Sequence, residues 1–193
     1  MARRGQWIAV GLIIGALVAA IVIGMSLTPD IRPVRPGSQA PEFQAANVMT
    51  GDTVTLADYE GEVVLLNIWA TWCAPCEKEM PSMQRLHELL GPEGLRVVAV
   101  SVDAIDSERV REWAQERDLT FDILHNRSGR IERDYQTTAV PETFILDRDG
   151  VIVRKEISAR EWDSEMYIKI FTRLMGSEED GAVSGNPLND RNK

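Results

Sequence analysis

The most constraining feature of this 193-residue sequence is its two cysteines, Cys73 and Cys76, which are the only cysteines in the chain. The run 63–69 just before them is apolar and rich in β-branched residues, which predicts a buried strand. After them, apolar residues recur at helical spacing as far as Leu90, which predicts a helix. The pair is therefore expected where a strand gives way to the first turn of a helix.

This position favours redox chemistry. Free backbone N–H groups and the positive dipole end at a helix start stabilise a thiolate, which is the form that attacks disulfides. The pKa of a cysteine placed there falls from about 8.5 to roughly 3.5–7.5. Pro75 fits the first turn because proline has a preset φ and lacks an N–H. A disulfide closing so short a loop adds little stability, so we expect a redox pair rather than a structural bridge.

Composition and spacing exclude several other classes of protein. The formal net charge of −9 argues against a nucleic-acid partner, because phosphate binding needs a basic face. No metal site is predicted, since His87 lies about 16 Å along the helix from Cys76 and only one other histidine, His125, is present. A peroxidatic Pro-x-x-x-Thr-x-x-Cys pattern is absent, because Thr71 lies only two residues before Cys73. No dissociable cofactor is expected.

The N-terminal residues predict a membrane anchor at 7–28. Residues 5–29 carry no charge, and their apolar run has about the length of the ~20 residues that cross a bilayer. Arg3 and Arg4 precede the run, so residues 1–6 are expected inside the cell and the rest of the chain outside. A cleaved signal peptide is the alternative. Because its cleavage site would be poor, an uncleaved single-pass anchor is favoured.

The remaining segments predict one α/β domain over residues 37–175. A proline-rich linker, 29–36, precedes it, and a polar tail predicted to be disordered, 176–193, follows it. The expected order is a hairpin, then β-α-β-α-β, then β-β-α, which gives a mixed central sheet with helices on both faces. The elements are predicted as strands 43–49 and 53–56, strand 63–69, the cysteine helix to Leu90, strand 95–101, helix 106–117, strand 121–124, a helical turn 131–135, strands 142–146 and 151–155, and a last helix whose apolar face carries Trp162, Met166, Ile170 and Leu174.

Several short motifs resemble one known family. The sequence Trp72-Cys-Ala-Pro-Cys76 at a strand–helix junction resembles the active site of thioredoxin-like proteins. The stretches 66–73 and 79–81, together with Val140-Pro-Glu-Thr-Phe144, resemble more narrowly the membrane-anchored TlpA/ResA/CcmG (DsbE) group. These are thiol–disulfide oxidoreductases linked to cytochrome c maturation. The resemblance covers roughly residues 37–175 and implies a thioredoxin-like fold.

The resemblance implies a role for each matched residue. Cys73 corresponds to an exposed nucleophile and Cys76 to a buried resolving cysteine, the two forming a redox disulfide. Pro141 corresponds to a cis-proline that faces this disulfide. Glu79 corresponds to an active-site acid that exchanges a proton with Cys76. On spacing alone, Glu79 could instead be a solvated carboxylate on the helix surface.

Residues around the cysteines are expected to contact the substrate. Trp72, Ala74 and Pro75 flank the cysteines, and Val140 has backbone groups free to pair with an incoming peptide, as in strand addition. The Ala-Pro dipeptide departs from the Glu-Pro or Val-Pro that is common in this group. Since this dipeptide tunes the reduction potential, the direction of electron flow stays open.

The expected function is a monomeric, membrane-tethered oxidoreductase with its domain on the periplasmic or outer face. It would reduce the C-x-x-C-H disulfide of apocytochrome c and be re-reduced by a transmembrane thiol carrier. One alternative is a broader disulfide oxidant or a reductant for copper-site assembly. An alternative of a different class is a non-catalytic module that displays the two cysteines for binding or metal delivery.

Overall fold

A computed structural model describes residues 12–20 and 33–176 of the chain. The chain divides into two compact units, 1–32 and 33–193. In the first unit, residues 12–20 are helical (α1) and their side chains are exposed. Within the described residues, no helix combines the length and the apolar character needed to span a bilayer. Most of the predicted anchor 7–28 and nearly all of the predicted tail 176–193 lie outside the described residues.

The second unit alternates strands and helices around a single sheet. Its strands are β1 (Gln44–Asn47), β2 (Thr53–Thr55), β3 (Val63–Trp69), β4 (Leu95–Ser101), β5 (Asp122–His125), β6 (Glu142–Leu146) and β7 (Ile152–Ile157). Its helices are α2 (Ala74–Leu90), α3 (Ser107–Gln115), α4 (Arg130–Asp134) and α5 (Glu165–Gly176). Short 3₁₀ turns lie at Leu56–Tyr59 and Gly91–Glu93, and Gly94, with φ 107°, leads from the second turn into β4.

The sheet is mixed, in the order β2-β1-β5-β4-β3-β6-β7. Strand β3 pairs in parallel with β4 and antiparallel with β6. The predicted hairpins at the two ends of the domain are both present, as the antiparallel pairs β1–β2 and β6–β7. Every residue of β3 is buried, which is what its apolar run, interrupted only by Asn67, predicts for a strand covered on both faces.

Alternating side chains of β3 enter two separate apolar clusters. Leu65 and Trp69 pack with the inward faces of α2, α3 and α5. Leu66 and Ile68 pack on the opposite face of the sheet, with Ile131 of α4 and the segment before β1. This alternation is the two-residue period of a strand. The predicted α/β fold with helices on both faces is confirmed.

The predicted apolar face of the last helix is confirmed at three residues and wrong at Met166. Trp162 is buried, and Ile170 and Leu174 pack against the core. Helix α5 begins at Glu165, so Trp162 precedes it in a turn where its ring is fully buried. Met166 is 50% exposed, and Tyr167 and Phe171 are the fully buried residues of α5. The reason is that the turn before α5 interrupts the helical spacing between Trp162 and Met166.

Candidate active site

Cys73 is the N-cap residue of α2, and its sulfur lies against the first turn of that helix. Cys73 Sγ accepts a hydrogen bond from the Cys76 N–H at 3.2 Å. The Cys73 N–H in turn donates to the Ala70 carbonyl at 3.1 Å, which fixes the loop between β3 and α2. A backbone N–H directed at this sulfur favours its charged form, because hydrogen bonding to the anion lowers a thiol pKa.

The structure contains the two cysteines as a disulfide, with their Cα atoms 5.2 Å apart. Cys76 is fully buried, as expected, but Cys73 is only 4% exposed rather than open to solvent. The expectation of an exposed Cys73 is therefore wrong for this disulfide form. Its sulfur is covered because it is bonded to Cys76 and also lies under the start of α2.

The residues that flank the disulfide are far more open than the sulfurs. Trp72 is 71% exposed, and Ala74 and Pro75 are exposed at the first turn of α2. Trp69, by contrast, is fully buried in the core. A large aromatic ring held in solvent beside a reactive pair is a ready contact for a partner protein.

Glu79 is buried rather than solvated, which rules out its interpretation as a surface carboxylate. It lies one helical turn after Cys76, so the two residues share a face of α2. Its carboxylate accepts hydrogen bonds from three N–H groups: Asn67 Nδ2 at 2.9 Å, the Arg160 backbone at 3.1 Å and Trp162 Nε1 at 3.0 Å. Burial raises the pKa of Glu79, and these three bonds oppose that rise.

The hydrogen bonds on Glu79 determine which oxygen can carry a proton. Oε2 accepts from both Arg160 and Trp162, whereas Oε1 accepts only from Asn67. Oε1 is therefore the oxygen with fewer hydrogen-bond donors. The second amide hydrogen of Asn67 goes to Thr143 Oγ1 at 2.8 Å, and Asn67 Oδ1 makes no hydrogen bond within the described part of the chain.

Strand β6 brings the Val140-Pro141 segment to the same end of the sheet as the cysteines. The register pairs Ile68 with Glu142, so Pro141 lies beside the point where β3 leads into the cysteine loop. The Val140–Pro141 peptide bond is cis. Pro141 is buried, and the half-buried Val140 packs against the apolar cluster that contains both cysteines. The predicted site residues are thus contributed by the β3–α2 junction and the start of β6.

Sequence reasoning missed two buried acids near this end of the sheet. Glu142 is fully buried, and Lys155 Nζ lies 2.8 Å from its Oε1 as an ion pair. Asp103 is 1% exposed and binds Thr71, two residues before Cys73. Glu142 lies inside the quoted Val-Pro-Glu-Thr-Phe motif, which was the available signal. No local pattern marks Asp103.

The two histidines lie apart from the disulfide chemistry. His87 stacks edge-on against Phe121, and His125 bonds to the Asp103 carbonyl and to Ser107. In residues 12–20 and 33–176, no group of three or more histidine, cysteine, aspartate or glutamate side chains could hold a metal ion.

Comparison with known proteins identifies the family. The profile of the AhpC/TSA family matches residues 36–155, which include both cysteines, Glu79 and Pro141. The chain belongs to the AhpC/TSA family. The family match ends before Arg160 and Trp162, although both donate to Glu79.

Similar proteins point to disulfide chemistry. The chain is 36% identical over 155 residues to the thiol-disulfide oxidoreductase ResA of Oceanobacillus iheyensis, covering 78% of this chain and 80% of the relative. It is 42% identical over 121 residues to the thioredoxin-like protein YneN of Bacillus subtilis, covering 62% and 69%.

A solved structure shows the same fold. It is described as a thiol:disulfide interchange protein DsbE from Chlorobium tepidum, and it superposes with a TM-score of 0.68 at 27% identity, covering 74% of this chain and 99% of that one. With its Cys73–Cys76 disulfide at the start of α2, this member of the AhpC/TSA family is a thioredoxin-like thiol–disulfide oxidoreductase of the ResA/DsbE type.

Proposed function

We propose that this chain is a membrane-tethered reductase of disulfides in extracytoplasmic proteins, and that the C-x-x-C-H segment of apocytochrome c is its substrate. The observation that carries the proposal is the position of the Cys73 sulfur. It caps α2 and accepts the Cys76 N–H, which is the arrangement that keeps an attacking sulfur charged. The side chains around it then supply the proton transfer and the substrate contact.

In the first step the reduced protein attacks the substrate disulfide. The Cys73 thiolate forms a bond to one substrate sulfur, and the substrate S–S bond breaks. The departing substrate thiolate takes a proton. The product is a mixed disulfide between Cys73 and one substrate sulfur. The two-electron reduction of the substrate is complete only after the second step.

In the second step Cys76 completes the reduction. Its thiol loses a proton, and its sulfur then attacks Cys73, which releases the second substrate thiolate and forms the Cys73–Cys76 disulfide. Two electrons have then passed from the enzyme dithiol to the substrate. Oε1 of Glu79, one turn further along α2, is the acceptor that we assign to the Cys76 proton, because Oε2 is already occupied by two N–H donors.

The surface around the disulfide fits an extended peptide. Trp72 offers an exposed ring, and we assign peptide pairing to the backbone of Val140, a half-buried residue just before β6. A substrate segment that pairs with Val140 would adopt strand geometry and pass over Ala74 and Pro75. An unfolded C-x-x-C-H segment can take this shape, whereas a disulfide inside a folded core cannot.

The substrate and the tether are supported by the sequence. The motifs resemble the TlpA/ResA/CcmG group, whose members are linked to cytochrome c maturation and are anchored to membranes. The charge-free run 5–29, with arginines before it, suits a single-pass anchor with the N-terminus inside. We infer that a transmembrane thiol carrier re-reduces Cys73–Cys76, because the proposed compartment has no cytosolic reductant.

The decisive experiment traps the mixed disulfide. The full chain carrying Cys76→Ala is reduced and mixed with an oxidised C-x-x-C-H peptide of apocytochrome c. A stable one-to-one adduct through Cys73 is expected on non-reducing gels, and none with Cys73→Ala. Equal turnover by either variant and the wild type would sink the mechanism. A scrambled peptide with the same disulfide measures substrate preference.

Two further measurements test the direction of electron flow and the membrane anchor. A reduction potential near −270 mV suits a reductant, whereas a value near −120 mV would favour the oxidant alternative. The full chain is expected to stay with membranes through alkaline extraction, and a variant lacking residues 1–28 is expected to be released. Release of both proteins would argue against the anchor.

A further inference from the structure

The loop that joins β3 to the cysteines is held by a buried acid from the neighbouring strand. Asp103 lies just beyond the end of β4 and is 1% exposed. Its Oδ2 accepts the backbone N–H of Thr71 at 2.9 Å, and its Oδ1 accepts the Thr71 hydroxyl at 2.8 Å. One carboxylate therefore holds Thr71 at both its backbone and its side chain.

Asp103 is itself anchored at three points. Ser101 Oγ donates to Asp103 Oδ2 at 2.7 Å, and the Asp103 N–H donates back to Ser101 Oγ at 3.2 Å. The Asp103 carbonyl accepts from His125 Nε2 at 2.9 Å, so His125 Nδ1 accepts from the Ser107 hydroxyl in the neutral ring. Because both ends of Asp103 are fixed by neighbouring elements, it is a rigid support for the loop.

The residue that this support leaves projecting is Trp72. Thr71 is half-buried and held, and Cys73 is held by its N–H to Ala70 and by α2, whereas Trp72 between them is 71% exposed. An exposed aromatic ring on a short loop loses conformational freedom when it docks. A clamp on the preceding residue removes much of that freedom before docking, which favours binding of a large partner.

We propose that Asp103 is a positioning residue, which fixes Thr71 and thereby presents Trp72 to protein disulfides. The proposal rests on the thiol–disulfide exchange assigned above, but it does not depend on apocytochrome c being the substrate. Asp103 acts through the loop and touches neither sulfur nor substrate. It therefore determines how well a protein substrate binds, and the intrinsic reactivity of Cys73 is independent of it.

The experiment compares two variants of Thr71 in the full chain. Thr71→Val removes the hydroxyl and leaves Asp103 Oδ1 without its donor, whereas Thr71→Ser keeps the bond. Each protein is assayed with insulin, a protein disulfide, and with 5,5′-dithiobis(2-nitrobenzoate), a small one. For Thr71→Val we expect KM for insulin to rise about three- to tenfold, which is the net contribution of one ordinary hydrogen bond, with kcat and the small-disulfide rate unchanged. Thr71→Ser is expected to match the wild type.

A second set of variants separates positioning from simple loss of structure. Asp103→Asn should raise KM for insulin as Thr71→Val does. Asp106→Asn is the control and should not raise it, because Asp106 lies on the same loop as Asp103 but its exposed carboxylate pairs with Arg127. In a Trp72→Ala background, Thr71→Val should add no further rise in KM, because the residue being presented is gone. Equal losses with insulin and with the small disulfide, or additive effects of Thr71→Val and Trp72→Ala, would overturn the proposal.

Discussion

The indole N–H of Trp162 donates to Glu79 Oε2 at 3.0 Å, although 83 residues separate the two in the sequence. The Trp162 backbone N–H also binds Ser82 Oγ at 3.0 Å, so Trp162 by itself is attached to α2 at two points. The buried acid of the active site is therefore completed by a part of the chain that comes after the whole sheet.

Replacing Trp162 by Phe should disturb the proton chemistry of Glu79. The indole bond favours the charged carboxylate, so its loss raises the pKa of Glu79 further above its ordinary value. We expect the rate of exchange to fall more at pH 6 than at pH 8, and the free energy of unfolding to fall by about 1.5–3 kcal/mol. Rates measured from pH 5 to 9 test this. Trp113→Phe is the control, because Trp113 packs on Trp69 and not on Glu79; a uniform loss at all pH values would contradict the prediction.

Glu79 should make the stability of the domain fall as pH rises. Burial raises its folded pKa above that of an unfolded glutamate. Its contribution to stability is then fully present below the unfolded pKa and is lost as pH rises through the folded pKa, by about 1.4 kcal/mol for each unit of difference. The free energy of unfolding of Glu79→Gln, relative to the wild type, should therefore increase from pH 4 to pH 8. Urea titrations measure this, with the exposed Glu77→Gln as control; a difference that does not change with pH would refute it.

Breaking the ion pair of Glu142 and Lys155 should lower the free energy of unfolding far more than breaking an ion pair at the surface. Glu142 is fully buried, so Lys155→Met leaves a charge in the core without its partner. We expect a loss of about 3–5 kcal/mol in the free energy of unfolding, part of which Glu142→Gln restores in the double variant. Lys169→Met is the matched control, because Lys169 pairs with Glu165 in solvent and little change is expected. Similar losses in the two lysine variants would show that Glu142 is not desolvated.

The phase of α5 can be tested by two truncations on adjacent faces. Phe171 is fully buried, so Phe171→Ala should cost about 3–5 kcal/mol of the free energy of unfolding. Met166 is half exposed, so Met166→Ala should change it by less than about 0.5 kcal/mol. Chemical denaturation distinguishes them. A large loss in the free energy of unfolding for Met166→Ala would show that Met166 is buried, as the sequence spacing predicts.

Signals that act over a few residues made much of this fold predictable. The run 63–69, the Cys-x-x-Cys pair and the apolar spacing to Leu90 each report local geometry, and β3 and α2 appear where they indicate. The position of Pro141 beside the cysteines was implied only by the family resemblance of its motif, and the register of β6 on β3 agrees with it. The wrong prediction for Met166 is also local in origin, because a turn after Trp162 interrupts the helical spacing and spacing alone does not mark such a turn.

The hydrogen bonds around the site could not be predicted from the sequence, because they join residues that lie far apart in the chain. Glu79 receives its donors from Asn67 and from the segment 160–162, and Asp103 reaches Thr71 from the next strand. Each contact joins elements that pair only once the sheet has formed. A lone aspartate after an apolar strand has no spacing that distinguishes it from a surface residue.

Cys73 Sγ has two roles, since it is both the N-cap acceptor of α2 and the reacting sulfur. Whatever forms a bond to that sulfur also changes the acceptor of the Cys76 amide hydrogen. The backbone amide resonance of Cys76 should therefore shift when Cys73 passes between the dithiol, adduct and disulfide forms.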